Sequence, residues 1–256
     1  MTVHARLMRS LLLCAAFTGL MAGAAIAADL ASGDRLYAEG KASDARNDYL
    51  AVLTAHPGDF ATLCRLARVE SELSEDAKGD EQRALSAAAV DHARAAIKAA
   101  PDSADGHAWL AASLGRQALR EGPKTRLALS REVKSEVDRA LAIDPALARA
   151  YHVRAMWNRK IASLNTLERA VAGTVLGGVP PGASMDNAVA DFRKAVELEP
   201  AYVNHRLELG RTYVQLKSWS AARVELEKAV SLPPTSSLRD AHYQAEAREL
   251  LAHLPK

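Results

Sequence analysis

The side chains best able to do chemistry are the histidines beyond residue 27, one cysteine in the same stretch, and arginines spread along the chain. His107, His152 and His205 recur near the start of three successive segments, where imidazoles could serve a metal or a proton. Their place drifts, from the fourth position of its segment to the fifth and then the third. That drift favours packing or helix-start polarity over a built metal site. Cys64, beside Leu63 and Leu66, reads as a small buried filler rather than a reactive thiol. Glu75-Asp76 and Asp80-Glu81 read as solvated charge in an exposed insertion. The sequence holds no H-E-x-x-H, G-x-x-x-x-G-K-S/T, G-x-S-x-G or paired-cysteine motif, so neither catalysis nor a cofactor is expected. What remains is recognition, because an arginine guanidinium can hold a carboxylate through two parallel hydrogen bonds.

Such side chains need elements to position them. Pro57, Pro101, Pro145, Pro200 and Pro234 close five successive segments, at intervals of 44, 44, 55 and 34 residues. Proline stops a helix because it lacks an N–H and clashes with the preceding turn. Counting back from each one, small and apolar residues return in phase. They are Gly33, Ala45, Tyr49 and Val52 in the first segment, and Leu63, Leu66, Ala67, Ala89, Ala93 and Ala96 in the second. Leu110, Ala111, Val133, Val137 and Ala140 follow in the third, then Tyr151, Ala155, Ala188, Phe192 and Ala195 in the fourth. Alanine dominates the apolar set, aromatics make up only 5% of the chain, and no stretch alternates in the manner of a strand. Helix is the only regular structure expected.

The last segment is the clearest. It reads Arg206-x2-Leu209-Gly210-x2-Tyr213, then Ala222-x3-Leu226, Ala229 and Pro234. This resembles a tetratricopeptide (TPR) repeat, with only the leading Trp replaced, by Arg206. Gly210 and Ala222 are small where two helices pass closely, and Tyr213 and Leu226 fill the space between hairpins. The expected fold is all-α, an α-solenoid of about five TPR-like hairpins over residues 28–59, 60–103, 104–147, 148–202 and 203–236. A capping helix over 237–254 would pack through Leu238, Ala241, Ala245, Leu250 and Leu251. Extra residues fall near Glu75–Ser86, Leu119–Ala128 and Ile161–Ser184, as lengthened helices or decorated turns.

In TPR hairpins the first helix of each unit lines the concave face. The matching positions here include Arg68 and Glu72, Asp105 and Arg116, then Arg149, His152, Met156, Arg159 and Lys160, then Asn204, Arg211 and Gln215. The resemblance therefore implies a basic groove that could clamp an acidic peptide, although the usual Lys/Asn/Lys/Arg clamp set is not reproduced. The competing reading is that these arginines are solvated charges paired along their own helices.

A second resemblance covers roughly residues 90 to 235. Trp157-Asn158-Arg159-Lys160 runs into Leu167-Glu168-Arg169, then Leu176-Gly177-Gly178-Val179-Pro180-Pro181, then Ala188-x3-Phe192-x-Lys194-Ala195. This is similar to the regulator of microtubule dynamics family of TPR-like proteins, which implies association with microtubules and mitochondrial membranes for its eukaryotic members. Gly173, Gly177, Gly178, Pro180, Pro181 and Gly182 should break the helix into a surface turn. The apolar stretch 171–179 would either fold back on the solenoid or mark a contact site.

The N-terminus carries an export signal. Arg6 and Arg9 precede an uncharged run from Ser10 to Ala28, and Ala25-Ile26-Ala27 forms an A-x-A cleavage motif. Cys14 lies too early, behind the large Leu13, for a lipoprotein site. Residues 1–27 read as a signal peptide, or as an anchor if uncleaved, and either places the rest outside the cytoplasm, in the periplasm of a Gram-negative cell. Residues 1–27 hold two arginines and no acid, so the remainder has 31 basic and 31 acidic residues. That balance points away from nucleic acid and, after cleavage, from a membrane surface. Only Cys64 remains, so no internal disulfide can form. The expected function is a non-catalytic scaffold for a protein or an acidic peptide. A structural adaptor working through the convex face or the Gly/Pro insertion is the alternative, and a small-ligand carrier or enzyme the least favoured reading.

Overall fold

In the computed structural model, residues 30–175, 178–233, 235 and 239–255 are described. Twelve helices follow one another, and no strand occurs among the described residues. They are α1 (30–38), α2 (Ala42–Ala55), α3 (Phe60–Asp76), α4 (Gly79–Ala99), α5 (Ala104–Ala118) and α6 (Pro123–Ile143). Then come α7 (Ala148–Ala162), α8 (Thr166–Val175), α9 (Met185–Leu198), α10 (Val203–Gln215), α11 (Trp219–Ser231) and α12 (Asp240–Ala252).

Local signals set several boundaries. Asp59 accepts a hydrogen bond from the Thr62 N–H at 2.7 Å and starts α3, and Ser184 does the same for Asn187 at α9. Pro123 occupies the first turn of α6, where a missing N–H costs nothing. Pro57, Pro101, Pro145 and Pro200 each sit in the turn just past α2, α4, α6 and α9. Pro234, Leu238 and the segment 1–27 lie outside the described residues.

The helices pair as α3 with α4, α5 with α6, α7 with α9, and α10 with α11. Each second helix then packs on the next first helix. The first helices also touch one another in succession, α3 with α5, α5 with α7, and α7 with α10, so they form the inner layer of a TPR-type solenoid. Two glycines set how closely the hairpins close. A Cβ on Gly210 would lie 2.7 Å from Leu226, and one on Gly33 would lie 2.4 Å from the Tyr49 ring. The apolar interior runs the length of the molecule. Tyr37, Tyr49 and Leu66 fill one end, Leu110, Leu114, Val137 and Trp157 the middle, and Phe192, Leu207, Leu226 and Tyr243 the other end.

The additional residues resolve differently at each place. Near residues 75–86 and 119–128 they lengthen helices, with α4 and α6 at 21 residues each against 13 in α10 and α11. Between α7 and α9 they form α8 and a Gly/Pro turn. Asn165 and Glu168 cap the start of α8 reciprocally, and Arg169 donates to the carbonyls of Ile161 and Ala162. Ala172 is buried, Val179 and Ala183 pack on the central core, and Arg131 donates to the Gly178 carbonyl at 2.7 Å. The described Ala172 and Val179 thus fold back on the solenoid, while Leu176 and Gly177 lie outside the described residues. Two expectations need correction. Gly173 lies inside α8 and breaks nothing, because a lone exposed glycine costs a helix only about 1 kcal/mol. In α12, Ala241 and Ala245 are exposed, while the expected Leu250 and Leu251 pack on the core together with Tyr243, Ala247 and, just past the helix, Leu254. Among the described residues, no helix is long and apolar enough to cross a membrane.

Candidate functional site

The inner helices present a band of charge. On α3, Arg68 lays its guanidinium over the Tyr37 ring at 3.8 Å, while its buried Nε donates to no group among the described residues. The Tyr37 hydroxyl donates to Glu72 at 2.7 Å. Burial pushes the Glu72 carboxyl above its usual range, against the pull of Tyr37, Arg116 and Arg68. On α5, Arg116 meets Glu75 at 2.6 Å. Burial opposes its charge, and Glu75 overcomes that opposition, so Arg116 stays protonated. At the start of α7, Arg149 pairs with Asp105 at 2.6 Å and stacks on Trp109, 4.1 Å from the ring centre.

Further along α7, Arg159 is only 7% exposed. It binds the Glu208 carboxylate, donates to the Glu208 carbonyl at 3.0 Å and to Thr212 Oγ1 at 3.1 Å, and touches the Met156 sulfur. Arg211 shares Glu208 and reaches Glu246 of α12 at 2.6 Å. The side-chain oxygen of Asn204 is buried without a partner among the described residues. Lys160 and Gln215 stand exposed at the ends of α7 and α10. Of the positions singled out in the sequence, Met156 and Arg159 are therefore brought together with the Arg211 cluster, whereas Lys160 and Gln215 stay at the periphery.

His152 and His205 meet across the α7–α10 contact, their Nδ1 atoms 2.9 Å apart. His205 is 1% exposed, and its Nε2 faces the Glu199 carboxylate at 3.4 Å. Phe192 stands edge-on to His152, and Tyr202 edge-on to His205. One tautomer pair fits this arrangement: His152 Nδ1–H donates to His205 Nδ1, and His205 Nε2–H faces Glu199 without closing a hydrogen bond among the described residues. Both rings are then neutral. Burial lowers both pKa values, that of His152 well below the ordinary range. Cys64 is half-buried, and burial pushes its thiol up to about 12, which keeps it protonated and unreactive.

The expectation for Glu75 and Asp76 needs correction. Instead of simply solvating a loop, they end α3, and both are bridged by Arg239 from the start of α12, at 3.0 and 2.9 Å. The acids that complete the band, Glu75, Glu208 and Glu246, were passed over by counting repeat positions. Glu208 had one sequence signal, its i,i+3 spacing to Arg211. Glu75 and Arg239 had none, because 164 residues separate them. A cleft of about 470 Å³ opens beside this contact, lined by Lys41, Ser43, Asp44, Glu72, Asp76, Arg239 and His242 among others.

The segment with the strongest family likeness, Trp157-Asn158-Arg159, is spent on internal bonds. The Trp157 indole N–H donates to Ser130 of α6 at 2.9 Å, Asn158 donates to Asp191 of α9 at 3.1 Å, and Arg159 binds α10. Arg154 forks onto the same Asp191 at 2.9 and 2.7 Å.

Comparison with known proteins gives a consistent result. A family model described as Regulator of microtubule dynamics protein 1-3 matches residues 29–255. The chain is 28% identical to regulator of microtubule dynamics protein 1 of Mus musculus, over 88% of this chain and 73% of that protein. It is 30% identical to the protein 1 of Caenorhabditis elegans, over 74% of this chain and 83% of that protein. Against protein 3 of Mus musculus, at 30% identity, it spans 47% of the relative's length. Among solved structures, a thermophilic TPR protein of Thermus thermophilus superposes with a TM-score of 0.64 at 20% identity, over 88% of this chain and 99% of that one. A type IV pilus biogenesis factor superposes with a TM-score of 0.52 at 16% identity, over 90% and 93%. At those identities the superpositions speak for the fold alone.

Proposed function

The chain belongs to the Regulator of microtubule dynamics protein 1-3 family, and on that footing we propose that it is a non-catalytic scaffold holding an acidic segment of a partner protein against its inner helices. The carrying observation is the disposition of Arg68, Arg116, Arg149, Arg159 and Arg211 on four successive inner helices. Four of them already hold carboxylates, which is the chemistry an acidic ligand would present. Arg68 and Asn204 each keep a buried polar atom that no described residue satisfies. The even charge balance beyond residue 27 speaks against nucleic acid. Action outside the cytoplasm rests on the export signal in residues 1–27.

A second reading is an adaptor contact through the insertion, of the kind the relatives' name implies for the cytoskeleton. Leu167 of α8, 73% exposed, is the residue on which that reading can be tested. Crosslinking and mass spectrometry with the chain lacking residues 1–27 separates the two. Partners lost on Arg68→Ala with Arg149→Ala, but kept by Leu167→Asp, support the inner face. The reverse pattern supports α8, and no specific partner in any variant overturns the scaffold reading.

A further inference from the structure

The end of α3 is built against local preference. A helix C-terminus carries partial negative charge, and basic residues favour it. Here the last turn holds Glu75 and Asp76 and no basic residue. Three arginines from other helices surround it. Arg116 of α5 meets Glu75 at 2.6 Å, and Arg239, at the start of α12, holds Glu75 and Asp76 together. Arg120, just past α5, donates to the Ser74 carbonyl at 2.9 Å, beside a second donor, the Gln82 amide. Arg239 is 8% exposed, so its charge is taken out of water against these two acids. The contact ties the second hairpin to the helix that follows the fifth. It closes the inner face at one rim, next to the 470 Å³ cleft that Asp76, Glu72 and Arg239 line.

We propose that Glu75-Asp76 is an internal stand-in for the ligand: it occupies the cation site formed by Arg116 and Arg239, and an acidic segment of a partner protein displaces it to open the inner face. This rests on the reading above and makes it specific. Two adjacent carboxylates at the end of a helix imitate an acidic peptide, and the arginine fork makes no distinction between an internal and an external carboxylate. The bridge to Asp76 is the weak link. Its carboxylate is 76% exposed, so an incoming acid can reach it and salt screens it. Glu75, at 25% exposure between two arginines, is the harder step.

The test is fluorescence anisotropy with a labelled hexaglutamate peptide at low ionic strength, together with a thermal melt of each variant. Wild type is expected to bind weakly. Glu75→Gln with Asp76→Asn is expected to bind at least tenfold more tightly, and adding Arg239→Ala is expected to remove that gain. Asp76→Asn alone, at the exposed carboxylate, keeps the fold if the double variant does not, and should show a smaller gain in the same direction. If wild type binds and neither variant gains, the stand-in is overturned while the acidic-ligand reading survives. If no variant binds, both are overturned.

Discussion

His152 and His205 share a single proton between facing Nδ1 atoms, 2.9 Å apart across the α7–α10 contact. The charged groups around them are Arg116 of α5, Arg149 and Arg159 of α7, and Glu199 ahead of α10. Both folded pKa values lie below the ordinary 6.5. The unfolded chain therefore binds more protons once the pH drops below about 6.5, so folding stability is full above that pH and falls as the pH is lowered toward the folded values. Urea titrations at pH 7.5 and pH 5 should show a lower midpoint at pH 5. Replacing the pair by His152→Phe with His205→Leu should flatten that difference; an unchanged difference would refute the assignment.

Arg159 and Glu208 make the most buried ion pair of the inner layer, with side chains 9% and 6% exposed. Removing Arg159 leaves the buried Glu208 carboxylate held by Arg211 alone. Arg159→Met should cost about 2 kcal/mol, whereas Arg159→Met with Glu208→Leu, in which Arg211 keeps Glu246, should return to within about 1 kcal/mol of wild type. Chemical denaturation of the two variants and the remaining single variant measures the coupling.

Two helical glycines behave in opposite ways. Gly210→Ala puts a methyl group 2.7 Å from Leu226 and should destabilise by about 1–3 kcal/mol. Gly115, inside α5, has no neighbour within 4 Å of the same position. Gly115→Ala should therefore stabilise by about 0.5–1 kcal/mol, through helix propensity alone. Thermal melts of the two variants should move in opposite directions.

Trp157 tests whether the family-like segment is structural. Trp157→Phe keeps one aromatic ring but removes the rest of the buried indole and the N–H that donates to Ser130, and should cost about 1–3 kcal/mol. Loss of partner capture without loss of stability would instead assign Trp157 to binding.

The hairpin architecture was legible because it rests on local rules. Gly210 opposite Leu226, and prolines just past four helices, are requirements that any hairpin of this type imposes on its own short stretch of chain. The site was legible only by half. Repeat positions pointed to Arg116, Arg159 and Arg211, but not to the carboxylates that hold them. Glu75 and Glu246 arrive from a helix end and from the terminal helix, where no repeat register applies. The histidine pair was hidden for a related reason. His152 and His205 occupy different repeat positions, and the stagger between α7 and α10 brings unequal positions face to face.

An open solenoid stores its stability in nearest-neighbour terms, so its ends fray first and its units can melt one at a time. The bond from Arg239 to Asp76 spans 163 residues and joins the second hairpin to the last helix. It can couple the terminal helix to the second hairpin across the whole array. Amide exchange of α12 in step with the interior is the expected sign of that coupling, and exchange of α12 ahead of the interior would show that the exposed bridge adds none.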